Sequence, residues 1–143
     1  MTPTYLVGVD GSRCGGRALE YAEERARATQ GRILVTFVIE WSRFSFSTPQ
    51  ENEERHRRRE EELARAHEQI VDPIVARLRE AGLQAEPLVR HGHAANTLAE
   101  LATEHDVTCI IVGRKGQSRL SQFFGSVASN LVQVADRPVT VVP

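Results

Sequence analysis

Ile33-Leu34-Val35-Thr36-Phe37-Val38-Ile39 carries a single hydroxyl among otherwise apolar side chains. A strand with one wet face alternates apolar and polar residues; a strand covered on both faces does not. The run therefore predicts a doubly buried strand, the kind found in parallel sheets. Upstream, Tyr5-Leu6-Val7-Gly8-Val9 is a short apolar run that stops at Asp10-Gly11-Ser12, which reads as a strand followed by a turn. Between the two, Ala18, Leu19, Ala22 and Ala26 recur at helical spacing, and Gly31 closes that segment.

Downstream the same alternation continues. Residues 41–48 form a polar-aromatic connector containing Trp41, Phe44 and Phe46. Thr48-Pro49-Gln50-Glu51 reads as a helix start, with a capping threonine and a proline at the first helical position. The basic cluster Arg55 to Arg59 stands four residues after glutamates at Glu51, Glu53 and Glu54, with Glu61 and Arg65 repeating the order. That order favours a solvated, self-paired helix over a nucleic-acid surface. Leu63, Ala66, Ile70, Ile74 and Leu78 carry one apolar stripe to Gly82, and Pro73 inside it predicts a kink. Ala85 to Arg90 is a third strand, with His91-Gly92-His93 as the turn after it. Ala94 to Ala102 is a helix, Thr108 to Val112 a strand ending at Gly113, Val127 to Val134 a helix, and Pro138 to Val142 a last strand. The order βαβαβαβαβ implies an α/β fold, a parallel sheet with helices on both faces.

The chain's 143 residues suit one domain, residues 1–143, able to bury roughly 68–70% of its unfolded surface without a disulfide or metal. Hydrophobic residues are 41% and charged residues 26%, which excludes disorder for most of the chain. A net charge of −1 offers no field for nucleic acid or an anionic membrane, although arginine outnumbers the single lysine, Lys115, 17 to one. No apolar run approaches the ~20 residues of a membrane span, and Met1 to Val9 lacks the marks of a secretory signal. Cys14 and Cys109 form no metal or redox spacing, so a reducing cytoplasmic setting is expected and both read as packing residues.

Ligands of open α/β sheets bind beyond the carboxyl ends of the strands, where strand order reverses. Two such ends carry unusual residues: Asp10-Gly11-Ser12 after the first strand, and Gly113-Arg114-Lys115-Gly116 after the fourth, with Gly125-Ser126 opening the helix beyond. Glycines let backbone approach a phosphate, and a helix start offers free N–H groups and a favourable dipole. Arg114 and Lys115 add positive charge, Ser126 a hydroxyl, and Asp10 an acceptor for ribose. Singly, each piece is equally a turn or a cap; joint placement on adjacent strand ends is what describes a nucleotide site. His91 and His93 lack further ligands for a metal, Ser12 lacks a histidine–acid relay, and neither a Walker motif nor a dinucleotide glycine fingerprint is present.

These residues resemble the universal stress protein family over essentially the whole chain. The resemblance rests on Val7-Gly8-Val9-Asp10-Gly11-Ser12, Phe37-Val38-Ile39-Glu40, Val89 to Gly92, Val112-Gly113-Arg114-Lys115-Gly116 through Gly125-Ser126-Val127, and the closing Pro138-Val139-Thr140-Val141-Val142. It implies an open five-stranded parallel sheet in the order 3-2-1-4-5, Rossmann-like and of the adenine nucleotide alpha hydrolase type, and a homodimer through the C-terminal strand. By position, Asp10 resembles the acid on the ribose or triphosphate side, and Val38 the residue whose backbone meets adenine. Val112, Gly113 and Gly116 resemble the ribose-phosphate loop, and Gly125, Ser126 and Val127 the phosphate-binding helix start. The family's ATP-binding branch places nine residues between the last two glycines; here Gln117 to Phe124 are eight.

The expected function is a cytoplasmic ATP-binding regulator of the universal stress type, a sensor or adaptor, with ATP (with or without Mg) as ligand and at most weak hydrolysis or autophosphorylation. Two alternatives stand beside it. One is a nucleotide-free dimeric interaction module; the other is a slow ATPase or phosphotransferase with Ser126 or Ser121 as acceptor.

Overall fold

The computed structural model describes residues 2–10, 13–40, 49–114 and 125–143. The turn Gly11-Ser12, the side chain of Cys14, the connector with Trp41, Phe44, Phe46 and Thr48, and the loop with Lys115, Gly116 and Ser121 lie outside the described residues. The elements run β1 (Thr4–Gly8), α1 (Arg13–Thr29), β2 (Arg32–Glu40), α2 (Pro49–Ala66), a π-helical turn (His67–Val71), α3 (Asp72–Glu80), β3 (Gln84–Gly92), α4 (Ala94–Glu104), β4 (Cys109–Gly113), α5 (Ser126–Val134) and β5 (Val139–Val142). The sheet is five-stranded and parallel in the order β3-β2-β1-β4-β5.

Side chains of the central strands alternate between two dry layers, as the period of two requires. Tyr5, Val7, Ile33, Val35, Val89 and Ile111 face α1, α3 and the π turn. Leu6, Leu34, Ile110 and Val112 face α4 and α5, where Leu98, Leu101, Ala128 and Leu131 meet them. Leu6, Ile33, Leu34 and Ile110 are all 0% exposed, so both faces of the strands are sealed. The one hydroxyl of β2 is tolerated there because Thr36 Oγ1 donates to the Leu34 carbonyl at 3.2 Å. Burial without such a partner is what makes a polar group costly. An ion pair ties α1 to α3: Arg77 Nη1 stands 2.7 Å from Oε1 of the nearly buried Glu23.

Pro73 interrupts the long helix where expected, but through a π turn placed just before it rather than a simple bend. Proline lacks an N–H and its ring crowds the carbonyl four residues back, and the wider π turn relieves that conflict. His67 Nδ1 and Asp72 Oδ1, five residues apart, meet across the turn at 3.2 Å. The arginine-rich stretch of α2 is solvated: Ala66 is the helix's buried residue.

The reading of His91-Gly92-His93 as an exposed turn is corrected. β3 runs on to Gly92 because β2 and β3 stay paired through Ile39–His91 and Glu40–Gly92. The His91 side chain is only 14% exposed, with Nε2 3.1 Å from Glu62 Oε2 of α2; His93 alone is open to solvent. α1 closes at Gly31 as expected, with Gly31 N–H donating to the Ala26 carbonyl at 2.9 Å. Gln30, at φ 56°, takes the left-handed conformation there. Gly31 serves instead by its size: a Cβ at this position would lie 2.9 Å from the Pro3 carbonyl oxygen and 2.7 Å from Tyr5 Cε2. Its neighbour Arg32 donates to that same Pro3 carbonyl at 2.8 Å, so the backbone there has little room to retreat. Gly31→Ala is accordingly expected to lower stability by about 1–3 kcal/mol. Urea denaturation measures this, and an unchanged midpoint would show that the close approach is relaxed without cost.

Candidate functional site

All five strands point the same way, so their carboxyl ends collect along one edge. β1 and β4 are paired neighbours through Val7–Ile111, at the point where chain order reverses. Val9 N–H donates to the Thr36 carbonyl at 2.9 Å, which holds the chain against β2 until Asp10, a half-buried residue, leaves the sheet. On β4, Val112 is buried and Gly113 is paired with Val142; Arg114, just beyond the strand, is exposed. Val38 lies near the end of β2 with its side chain packed toward the α4 and α5 layer.

Gly125 N–H donates to the Arg114 carbonyl at 2.7 Å and so brings the start of α5 back to the end of β4. Gly125 is the N-cap. The first rung of α5 is Ser129 N–H to the Gly125 carbonyl, 3.0 Å. The N–H groups of Ser126, Val127 and Ala128 therefore have no acceptor within the helix. Such a terminus attracts anions through its free donors and the helix dipole.

A second helix start faces the same space. α4 begins after His93, whose carbonyl accepts from Thr97 N–H at 2.8 Å. Gly92, at φ 151°, adopts backbone that side-chain-bearing residues rarely use, and there β3 turns into α4. Glu40, paired with Gly92 across the sheet, accepts a hydrogen bond from Ala94 N–H on Oε1 at 3.3 Å. Its Oε2 stands 4.0 Å from His93 Nδ1. Between the two helix starts lies a cleft of about 420 Å³ lined by Glu40, by His93 to Asn96, and by Ser126, Val127, Asn130, Gln133 and Val134 of α5.

Of the residues read from sequence as nucleotide-binding, Ser126 and Val127 line this cleft. Asp10, Val38, Val112, Gly113 and Arg114 stand at the strand ends, Gly125 caps α5, and Gly116 lies outside the described residues. Glu40, His93, Asn96 and Asn130 were not singled out as binding residues. One signal for them was present: Ser126, Asn130 and Gln133 fall at i, i+4 and i+7 along a helix whose other side supplies Ala128 and Leu131 to the core. Glu40 and His93 become neighbours only through strand register. Among the described residues no three His, Cys, Asp or Glu side chains gather to hold a metal ion.

The model of the Universal stress protein family matches residues 1–143. The chain belongs to the universal stress protein family. Universal stress protein Rv1996 of Mycobacterium tuberculosis is 30% identical over 152 residues, covering 96% of this chain and 47% of that protein. The chain thus spans about half the length of the mycobacterial relatives it matches. Universal stress protein YxiE of Bacillus subtilis is 28% identical over 96% of both chains. Among solved structures, UspA from Lactobacillus plantarum superposes with a TM-score of 0.79 at 22% identity, covering 99% of this chain and 97% of that one. A universal stress protein in complex with cAMP gives 0.62 at 23% identity over 99% and 96%. The universal stress protein from Archaeoglobus fulgidus in complex with dAMP gives 0.60 at 24% over 100% and 98%. The order of strands and the placement of helices on this universal stress protein are those of its family's Rossmann-like fold.

Proposed function

We propose that this universal stress protein binds an adenine nucleotide, ATP, at the carboxyl ends of its strands and works as a nucleotide-responsive regulator rather than as an enzyme. The observation that carries the proposal is the start of α5, where three N–H groups without helical acceptors sit beside the end of β4. The solved relatives in complex with cAMP and dAMP support adenine as the base. In this reading the N–H groups and the Ser126 hydroxyl hold phosphate, Arg114 adds positive charge, and Val112 and Gly113 flank the ribose-phosphate. Asp10 accepts from ribose hydroxyls, and the backbone of Val38 meets the adenine edge. The donor set suits phosphate; an accompanying Mg ion would neutralise part of its charge.

Regulation is preferred over catalysis because the sequence offers Ser12 no histidine–acid relay and carries no Walker motif. Gly113→Val is expected to weaken ATP binding by about tenfold or more, because the added side chain blocks close backbone approach. Calorimetry against the ligand-free thermal midpoint checks this; wild-type affinity in the variant would remove Gly113 from the site.

Self-association is the second part of the proposal, and it rests on β5. That strand is at the sheet edge, and Val139, Val141 and Val142 are half-buried without a charge among them. An uncharged edge presents unpaired backbone groups to a second chain, and a two-fold axis would pair β5 with its own copy. Val141→Lys is expected to shift the protein from dimer to monomer in sedimentation at micromolar concentration. A wild-type monomer under those conditions would overturn the pairing.

A further inference from the structure

The cleft between α4 and α5 is unevenly charged. Among its described lining residues only Glu40 and His93 ionise; the rest are Ala, Asn, Gln, Ser and Val. Both helix starts are anion-attracting, yet they are in different states. Neither helix gives its first three N–H groups an acceptor of its own, but at α4 one of them, Ala94 N–H, already holds an anion, the Glu40 carboxylate at 3.3 Å. The same carboxylate stands 4.0 Å from Nδ1 of His93. Glu40, its backbone placed by pairing with Gly92, thus lines the same cleft as Ser126 and Val127.

We propose that Glu40 sets the charge selectivity of the nucleotide site: it closes the α4 start to phosphate, confines phosphate to α5, and narrows the advantage of a nucleoside triphosphate over a monophosphate. This inference rests on the nucleotide reading above. Its physical basis is that a fixed carboxylate repels each added phosphate charge across the cleft and removes one of two helix starts that would share the charge. Specificity then comes from an opposing charge as much as from attraction. The neutral groups beside Glu40, such as Asn96, suit the uncharged hydroxyl or amino groups of a nucleoside.

Calorimetric titration of ATP and AMP, without added magnesium, into the wild type, Glu40→Gln and Glu40→Ala tests the proposal. The glutamine variant keeps an oxygen for Ala94 N–H and removes the charge. Its affinity for ATP is expected to rise roughly threefold or more relative to AMP at about 0.05 M salt, the size of effect that a charge at a helix end produces. That gain should fade near 1 M salt, where the screening length is about 3 Å. Glu40→Ala should show the same shift in ratio. If Glu40 acts only as a cap for α4, Glu40→Gln will match the wild type and Glu40→Ala will weaken both ligands equally. Either that pattern or a gain that persists at high salt overturns the inference and leaves the nucleotide reading intact. If neither the wild type nor the variants bind ATP or AMP, the nucleotide reading fails and this inference fails with it.

Discussion

The fold depends on sealing both faces of β1, β2 and β4. A strand whose side chains are all dry must satisfy its backbone N–H and C=O groups within the sheet, since water reaches neither face. Parallel pairing does this only if each strand is followed by a crossover of a dozen or more residues, and helices are the compact way to build one. From Leu6, Ile33, Leu34 and Ile110 therefore follow the sheet, the two helical layers and the direction of every element. The site is a by-product of that direction. Once all strands run the same way, the helices that follow them begin at one edge, and two of those beginnings, α4 and α5, open onto one cleft.

Order and class of elements were legible in the sequence because each carries its own period. The β2 run, the Ala-rich faces of α1 and α4, and the βαβ alternation are local signals; β2 and α4 returned within two residues of their expected ends, while α1 begins at Arg13, five residues before its first apolar position. The strand order came through the family resemblance, since no local pattern in Pro138 to Val142 says which strand it will join. The places where local reading failed share one cause. Gly92 suggested a turn, but cross-strand pairing of Ile39 with His91 kept β3 extended past its apolar stretch. What demands glycine at position 31 was hidden in the same way: Gly31 closes α1 as its position indicated, but the close approach that excludes a side chain comes from Tyr5 and Pro3, residues far upstream.

The site divides in the same way. Ser126 and Val127 were legible because a helix start is a local motif, and the glycine before them marks it. Glu40 and His93 were not, because the contact between them spans two strands and a helix start, with more than fifty residues of sequence between. A charged residue ending an apolar strand reads as a solvated terminus. Only the β2–β3 register turns it into a group that governs the electrostatics of a cleft. Tertiary context thus decides the chemistry of the residues that sequence periodicity leaves undetermined.

The π turn at His67–Val71 has a consequence for how the protein opens. It separates α3, which buries Val75 and Leu78, from α2, which buries only Ala66 and is held in its last turns by the Glu62–His91 contact. A helix with so little buried apolar surface gains little from the core, and regions of that kind open by local fluctuation rather than with the whole domain. Amide hydrogens of α2 before Glu62 will therefore exchange with solvent far sooner than those of α3, with the π turn as the boundary between two cooperative units. Unwinding of the arginine-rich arm thus leaves the sheet and the carboxyl ends of its strands in place.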